Sequence, residues 1–154
     1  MRFSFRKALS PLPKTVHPAP RKSVVIVDDD KSYGNLLMQL LSDNLDCPVV
    51  AFSNPREALA ALPTLDPGVI VTDYDMPGLT GFELMERVAG LVPGVPFILI
   101  TGNPIDEAME RLVAASPVKA VVPKPFHWQK LADEIVRHWP EPGVALLKAG
   151  SASL

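Results

Sequence analysis

Three consecutive acids, Asp28, Asp29 and Asp30, a second acidic pair at Asp73 and Asp75, the hydroxyl of Thr101 and the ammonium of Lys124 each stand close behind a short apolar run. Brought together, these groups define a chemistry. Two carboxylates about 4 Å apart repel by roughly 4 kcal/mol at an effective dielectric near 20, so converging Asp28, Asp29 and Asp73 require a cation or a proton. An all-oxygen donor set without a neighbouring histidine or cysteine suits a hard ion, with Mg²⁺ the default and Mn²⁺ a substitute. A carboxylate held beside such an ion can attack phosphorus and become an aspartyl phosphate. The group in transfer carries spread negative charge, which Lys124 and Thr101 are suited to stabilise. An Asp run alone reads as a solvated turn; the conjunction with Asp73, Thr101 and Lys124 is what points to a site.

Such convergence needs a scaffold, and the spacing of apolar residues supplies one. Val24 to Val27, Val49 to Phe52, Val69 to Val71, Phe97 to Ile100 and Ala120 to Val122 are short runs of the kind buried on both faces of a sheet. Between and after them apolar residues recur at helical spacing: Tyr33, Leu36, Leu37, Leu40 and Leu41; Ala58, Leu59 and Ala61; Phe82, Leu84, Met85 and Val88; and Trp128, Leu131, Ile135 and Trp139. Asn54 with Pro55 reads as the cap and first position of the second of these helices, and Asn103 with Pro104, ahead of Asp106 and Glu107, as those of one further helix. Five βα units in alternation imply an α/β fold with a doubly wound, five-stranded parallel sheet and right-handed crossovers. Ligands of such sheets bind beyond the carboxyl ends of the strands, which is where the acids, Thr101 and Lys124 fall.

The stretches VVIVDDD (24 to 30), VTDYDMPGLTG (71 to 81), ILITG (98 to 102) and VPKPF (122 to 126) together resemble a response-regulator receiver domain of two-component signalling, over about residues 22 to 140. The resemblance implies a flavodoxin-like fold with strand order 2-1-3-4-5. It implies Asp73 as the phospho-acceptor, Asp29 as a direct metal ligand, Asp28 as a ligand mainly through water, and the Asp75 main-chain carbonyl as a further one. Thr101 matches the hydroxyl that swings toward the phosphoryl group, Lys124 the lysine that pairs with it, and Gly81 the glycine at a loop–helix junction. A cis bond between Lys124 and Pro125 is implied too, as is a phosphohistidine donor, either a sensor histidine kinase or a histidine phosphotransfer protein. Asp75 and Asn103 occupy the variable positions flanking the site that influence how fast water removes the phosphoryl group. One departure is expected to matter. The aromatic residue usual three positions before the lysine is here Val121, whose stiff, non-polar side chain cannot make the ring rotation that carries the signal outward.

Two other functions compete. The D-x-D of Asp73 and Asp75 also suggests a phosphatase of the haloacid dehalogenase type, but Pro77 stands where that family expects threonine or valine, and the chain has no room for a cap domain. A receiver fold serving as a phosphorylation-independent docking adaptor is the other; the intact set of Asp28, Asp29, Asp73, Thr101 and Lys124 speaks against it, while Val121 leaves it open. Elsewhere the plain readings are preferred. Asp30 is a solvated or capping residue, the Asp75 side chain is exposed, and His17, His127 and His138 are surface or half-packed rather than phospho-donors. Trp128 and Trp139 belong to core or interface, and Cys47 is a packed small residue.

A chain of 154 residues with 47% hydrophobic and 21% charged residues holds one domain with an adequate core, and no apolar run reaches the length of a membrane span. The lone cysteine fits a reducing compartment, and a cytoplasmic location is expected. Residues 1 to 22 carry six basic residues, no acid and four prolines, and read as a flexible basic extension. The remaining body has a net charge of −8, which argues against nucleic acid as a partner. Residues 23 to 140 form the receiver domain, and 141 to 154 a short tail expected to lack fixed structure. The reading is of a stand-alone receiver whose output is a contact with another protein. A second copy of the chain, through the last helix and the fifth-strand face, is a further candidate partner.

Overall fold

The computed structural model describes residues 21–141 and 146–148. Elements alternate along the chain as β1 (Ser23–Val27), α1 (Lys31–Asn44), β2 (Val49–Phe52), α2 (Pro55–Leu65), β3 (Pro67–Asp73), α3 (Gly81–Leu91), β4 (Phe97–Thr101), α4 (Glu107–Ala114), β5 (Val118–Pro123) and α5 (Trp128–Arg137). The strands form one sheet in the order 2-1-3-4-5, and every neighbouring pair is parallel. The order reverses beside β1, so the carboxyl ends of β1 and β3 flank a crevice that no crossover covers.

Because successive strand residues face opposite ways, the sheet feeds two separate cores. Val25, Val27, Ile70 and Leu99 pack with Ala58, Leu62, Leu84, Met85, Val88 and Met109 from α2, α3 and α4. Val24, Ile26, Val71, Ile98 and Val122 pack on the other face with Leu37, Leu41, Leu131 and Ile135 from α1 and α5. The central strands β1, β3 and β4 are buried along their whole length, which accounts for their unbroken apolar runs. Cys47 is half-buried, and burial pushes its thiol up to about 11, in keeping with a packed small residue.

Helix starts follow local chemistry, with one correction. The Asp30 carboxylate accepts from the Tyr33 amide at the head of α1, Asn54 caps α2 ahead of Pro55, and Thr80 and Glu83 form a reciprocal capping box on α3. The helix expected to begin at Asn103 and Pro104 instead begins at Glu107, with the Asp106 carboxylate accepting from the Met109 amide at 2.9 Å. Asn103 is engaged elsewhere: its side chain donates to Asp75 and its amide to the Thr101 hydroxyl. Those bonds tie the residue to the strand edge, and the next acid in the chain takes over as the cap.

The termini also differ from expectation. Residues 1–20 of the basic extension lie outside the described residues, but its last two are pinned to the body: Arg21 pairs with Asp46 at 2.7 Å and Lys22 with Asp66 at 3.0 Å. Within the tail expected to be unstructured, Leu147 forms an antiparallel bridge with Leu45. The Leu146 side chain is 2% exposed and belongs to the α1–α5 core. The physical reason is that the end of α1 leaves backbone groups unpaired: Lys148 donates from Nζ to the Ser42 carbonyl and from its amide to the Asn44 carbonyl. Trp139, just past α5, lays its ring where a Cβ on Gly68 would fall 2.6 Å away, so it is a packing residue.

Candidate functional site

The carboxyl edge of the sheet collects the acids. Asp28 follows β1 and is 2% exposed; Asp73 ends β3 and is 7% exposed. Asp29 lies beside them in solvent, and carboxylate oxygens of Asp28, Asp29 and Asp73 all fall within 4.8 Å of one another. One oxygen of Asp28 accepts from the Asp30 amide at 2.9 Å, whereas its Oδ2 is buried with no partner. Burial holds the Asp28 carboxyl above the usual range; the Asp30 amide partly offsets this, and the Asp73 charge adds to it. A buried carboxylate that has one orphaned oxygen and lies beside two more acids is an arrangement that a hard divalent cation completes. The donor set therefore fits a divalent ion.

Lys124 reaches the acids from the β5–α5 loop. Its Nζ donates to Asp73 Oδ2 at 3.1 Å, while its backbone amide is fixed on the Thr101 carbonyl at 2.8 Å. Burial pulls the ammonium down, but the hydrogen bond and charge of Asp73 outweigh it, and the net effect is upward. The Lys124–Pro125 bond is cis. The cavity formed here is about 450 Å³ and is lined by Asp28, Asp29, Asp30, Tyr33, Asp73, Lys124, Pro125 and Phe126.

Not every expected group reaches that cavity. Thr101 ends β4 at the same edge and is fully buried, but its Oγ accepts from the Asn103 amide at 3.0 Å and it is absent from the lining. The Asp75 side chain is exposed as expected, and it accepts from Asn103 Nδ2 at 2.7 Å. Asp30 serves α1 as its cap. His127 stands at the head of α5 and His138 lies 3.4 Å from Glu134; neither lines the cavity. Gly81 is required by close approach, since a Cβ there would lie 2.8 Å from the Asp73 carbonyl and 3.1 Å from Leu99.

Two aromatic residues of the cavity wall, Tyr33 and Phe126, carry no site role in the sequence reading. Tyr33 fits the apolar period of α1 and was assigned to that helix's core face, yet it sits in the first turn, at the acidic edge. Its ring centroid is 5.1 Å from Lys124 Nζ and it meets Phe126 edge-on at 6.3 Å. The available signal was its position four residues after Asp29, one helical turn into α1.

A doubly wound parallel sheet with an acidic cluster and a lysine at its carboxyl edge is the arrangement that the resemblance in sequence implies. Residues 24–136 match the response regulator receiver domain family. The chain belongs to that family. It is 35% identical to the C4-dicarboxylate transport transcriptional regulatory protein DctD of Rhizobium meliloti over 53% of this chain and 17% of that protein. With the sensor protein TorS of Escherichia coli it shares 27% identity over 90% of this chain and 15% of that protein. The Vibrio cholerae chemotaxis protein CheY4 superposes with a TM-score of 0.69 at 26% identity, covering 77% of this chain and 98% of that one. The chain thus spans less than a fifth of the length of the two larger relatives. The fold class and strand order expected from the resemblance agree with these findings. No helix among the described residues is long and apolar enough to cross a membrane.

Proposed function

We propose that the protein accepts a phosphoryl group on Asp73 from a phosphohistidine donor and signals through a contact with another protein. The observation that carries this is the Asp73 carboxylate itself, buried beside two further acids and hydrogen-bonded to the Lys124 ammonium at 3.1 Å. Asp28, Asp29 and Asp73 would hold Mg²⁺, with the Asp75 carbonyl as a further ligand. When bound, the ion neutralises the acids and the phosphoryl oxygens.

In the transfer, an Asp73 oxygen attacks phosphorus, the bond from phosphorus to the donor imidazole breaks, and the released imidazole takes up a proton. Lys124 follows the charge from the carboxylate to a phosphoryl oxygen. Thr101 would turn its O–H toward a phosphoryl oxygen, and because its Oγ accepts from the Asn103 amide, that movement couples the site to the loop ahead of α4. A sensor histidine kinase or a histidine phosphotransfer protein is the donor, and the cytoplasm is the compartment in which the exchange occurs. The catalysis is confined to the protein's own phosphorylation and dephosphorylation.

The test is intact-mass measurement after incubation with Mg²⁺ and a small phosphodonor. The wild type is expected to gain one phosphoryl group and Asp73→Asn none; an unmodified wild type, or a modified Asp73→Asn, overturns the assignment.

A further inference from the structure

The lysine of this site is gripped from two sides, and only one of them is ionic. Lys124 Nζ lies 3.1 Å from Asp73 Oδ2 and 5.1 Å from the centroid of the Tyr33 ring. The Lys124 side chain is about one-third exposed and its ammonium ends a stem with four rotatable bonds, so a single hydrogen bond leaves it considerable freedom. A ring face attracts a cation through its quadrupole and is strongest where water is partly excluded.

The ring is itself held in place. Its backbone amide donates to the Asp30 carboxylate at 3.1 Å, which fixes Tyr33 in the first turn of α1. Phe126, two residues beyond Lys124, braces the ring edge-on at an interplanar angle of 78°. Tyr33 thus joins the helix that follows the acidic run to the loop that delivers the lysine.

We infer that Tyr33 is a positioning residue for phosphoryl transfer, its ring face confining the Lys124 ammonium at Asp73; this rests on the phospho-acceptor reading. A neutral ring has a property that a carboxylate in its place would lack. As negative charge moves from Asp73 to the phosphoryl oxygens, the ammonium must follow it. A second anion would hold the lysine back, whereas the ring restricts it laterally and leaves its hydrogen bonds free for the new acceptor.

The test compares wild type, Tyr33→Phe and Tyr33→Leu, with Tyr33→Met as a second ring-less variant should leucine disturb the fold. Acetyl phosphate with Mg²⁺ is the probe, and the rate of phosphoryl gain is measured alongside the NMR signals of the Lys124 ε-methylene. Tyr33→Leu and Tyr33→Met are expected to slow the gain about three- to tenfold, and Tyr33→Phe to retain the wild-type rate within about twofold. The Lys124 ε-methylene protons are expected upfield in wild type and Tyr33→Phe, through the ring current, and at ordinary positions in the ring-less variants. Equal rates in all variants, a Tyr33→Phe as slow as Tyr33→Leu, or unshifted Lys124 protons in the wild type would overturn the inference. A wild type that gains no phosphoryl group overturns the phospho-acceptor reading instead, and the lysine signals still decide whether the ring holds the ammonium.

Discussion

The Asp75 carboxylate and the Asn103 side-chain amide are joined by a 2.7 Å hydrogen bond that spans the loops following β3 and β4. The same Asn103 donates its backbone amide to the Thr101 hydroxyl. One residue therefore secures both an acid two positions past Asp73 and the hydroxyl expected to move on phosphorylation. The bond is exposed, which limits its worth to about 0.5–1 kcal/mol despite the charged acceptor. Asp75→Ala, Asn103→Ala and the double variant are expected to lose similar stability in urea, the second substitution adding little to the first. Additive losses in that cycle would show that the two side chains act independently.

Asp28 should be a liability in the metal-free protein. Its Oδ2 is buried without a partner beside Asp73, and leaving a buried acceptor unsatisfied costs about 1–3 kcal/mol. Asn at this position keeps an oxygen for the Asp30 amide and removes one negative charge from beside Asp29 and Asp73. Asp28→Asn is therefore expected to raise stability in EDTA by about 1–2 kcal/mol and to abolish the rise in Tm that Mg²⁺ gives the wild type. A destabilised variant, or one that Mg²⁺ still protects equally, would contradict this.

Strand runs and the acids behind them were legible because a strand buried on both faces leaves an unbroken apolar mark, and the residue just past it must lie at the sheet edge. Asp28, Asp73, Thr101 and Lys124 follow from that rule. The start of α4 did not, because Asn103-Pro104 and Asp106-Glu107 both look like a cap followed by a first turn. A tertiary bond to Asp75 decides between them. Tyr33 was hidden by the helical period, which identifies an apolar face without saying that its first turn borders the acids. Leu146 was hidden in a different way: an isolated apolar segment has no periodicity, and its burial depends on the unpaired carbonyls at the end of α1.

That last contact can be tested directly. Leu146 is 2% exposed in the core between α1 and α5, at the edge of the sheet opposite the acids. Leu146→Ala is expected to cost about 2–4 kcal/mol in urea unfolding while leaving the rate of phosphoryl gain unaltered. A loss below about 0.5 kcal/mol, the level of an ordinary surface substitution, would mean that the segment does not pack there in solution.

Cys47 gives the fold a pH dependence at the alkaline end. Burial raises its thiol from 9.0 to about 11, with the Asp46 charge adding to the shift. A thiol whose folded pKa is raised contributes stability that is fully present below the unfolded value and is lost as pH rises through about 11. At pH 8 the folded protein should also react with iodoacetamide about a hundredfold more slowly than the urea-unfolded chain, following the thiolate fraction. Equal rates in the two states would contradict the burial.

Val121 separates the chemistry of the site from its output. It pairs in register with Leu99 between β4 and β5 and packs half-buried on the face where α2, α3 and α4 lie. It makes no contact with Asp73 or Lys124 that the transfer requires, so Val121→Tyr is expected to gain a phosphoryl group at the wild-type rate within about twofold. A valine has one stiff torsion and offers only a methyl surface to its neighbours. A displaced Thr101 can therefore push on it without selecting a new rotamer. A tyrosine has a second position to adopt and a hydroxyl to place there. Amide NMR shifts of α4 and β5 on phosphorylation are expected to be larger in Val121→Tyr than in the wild type; shifts of equal size would show that the signal leaves the site by a route that bypasses residue 121.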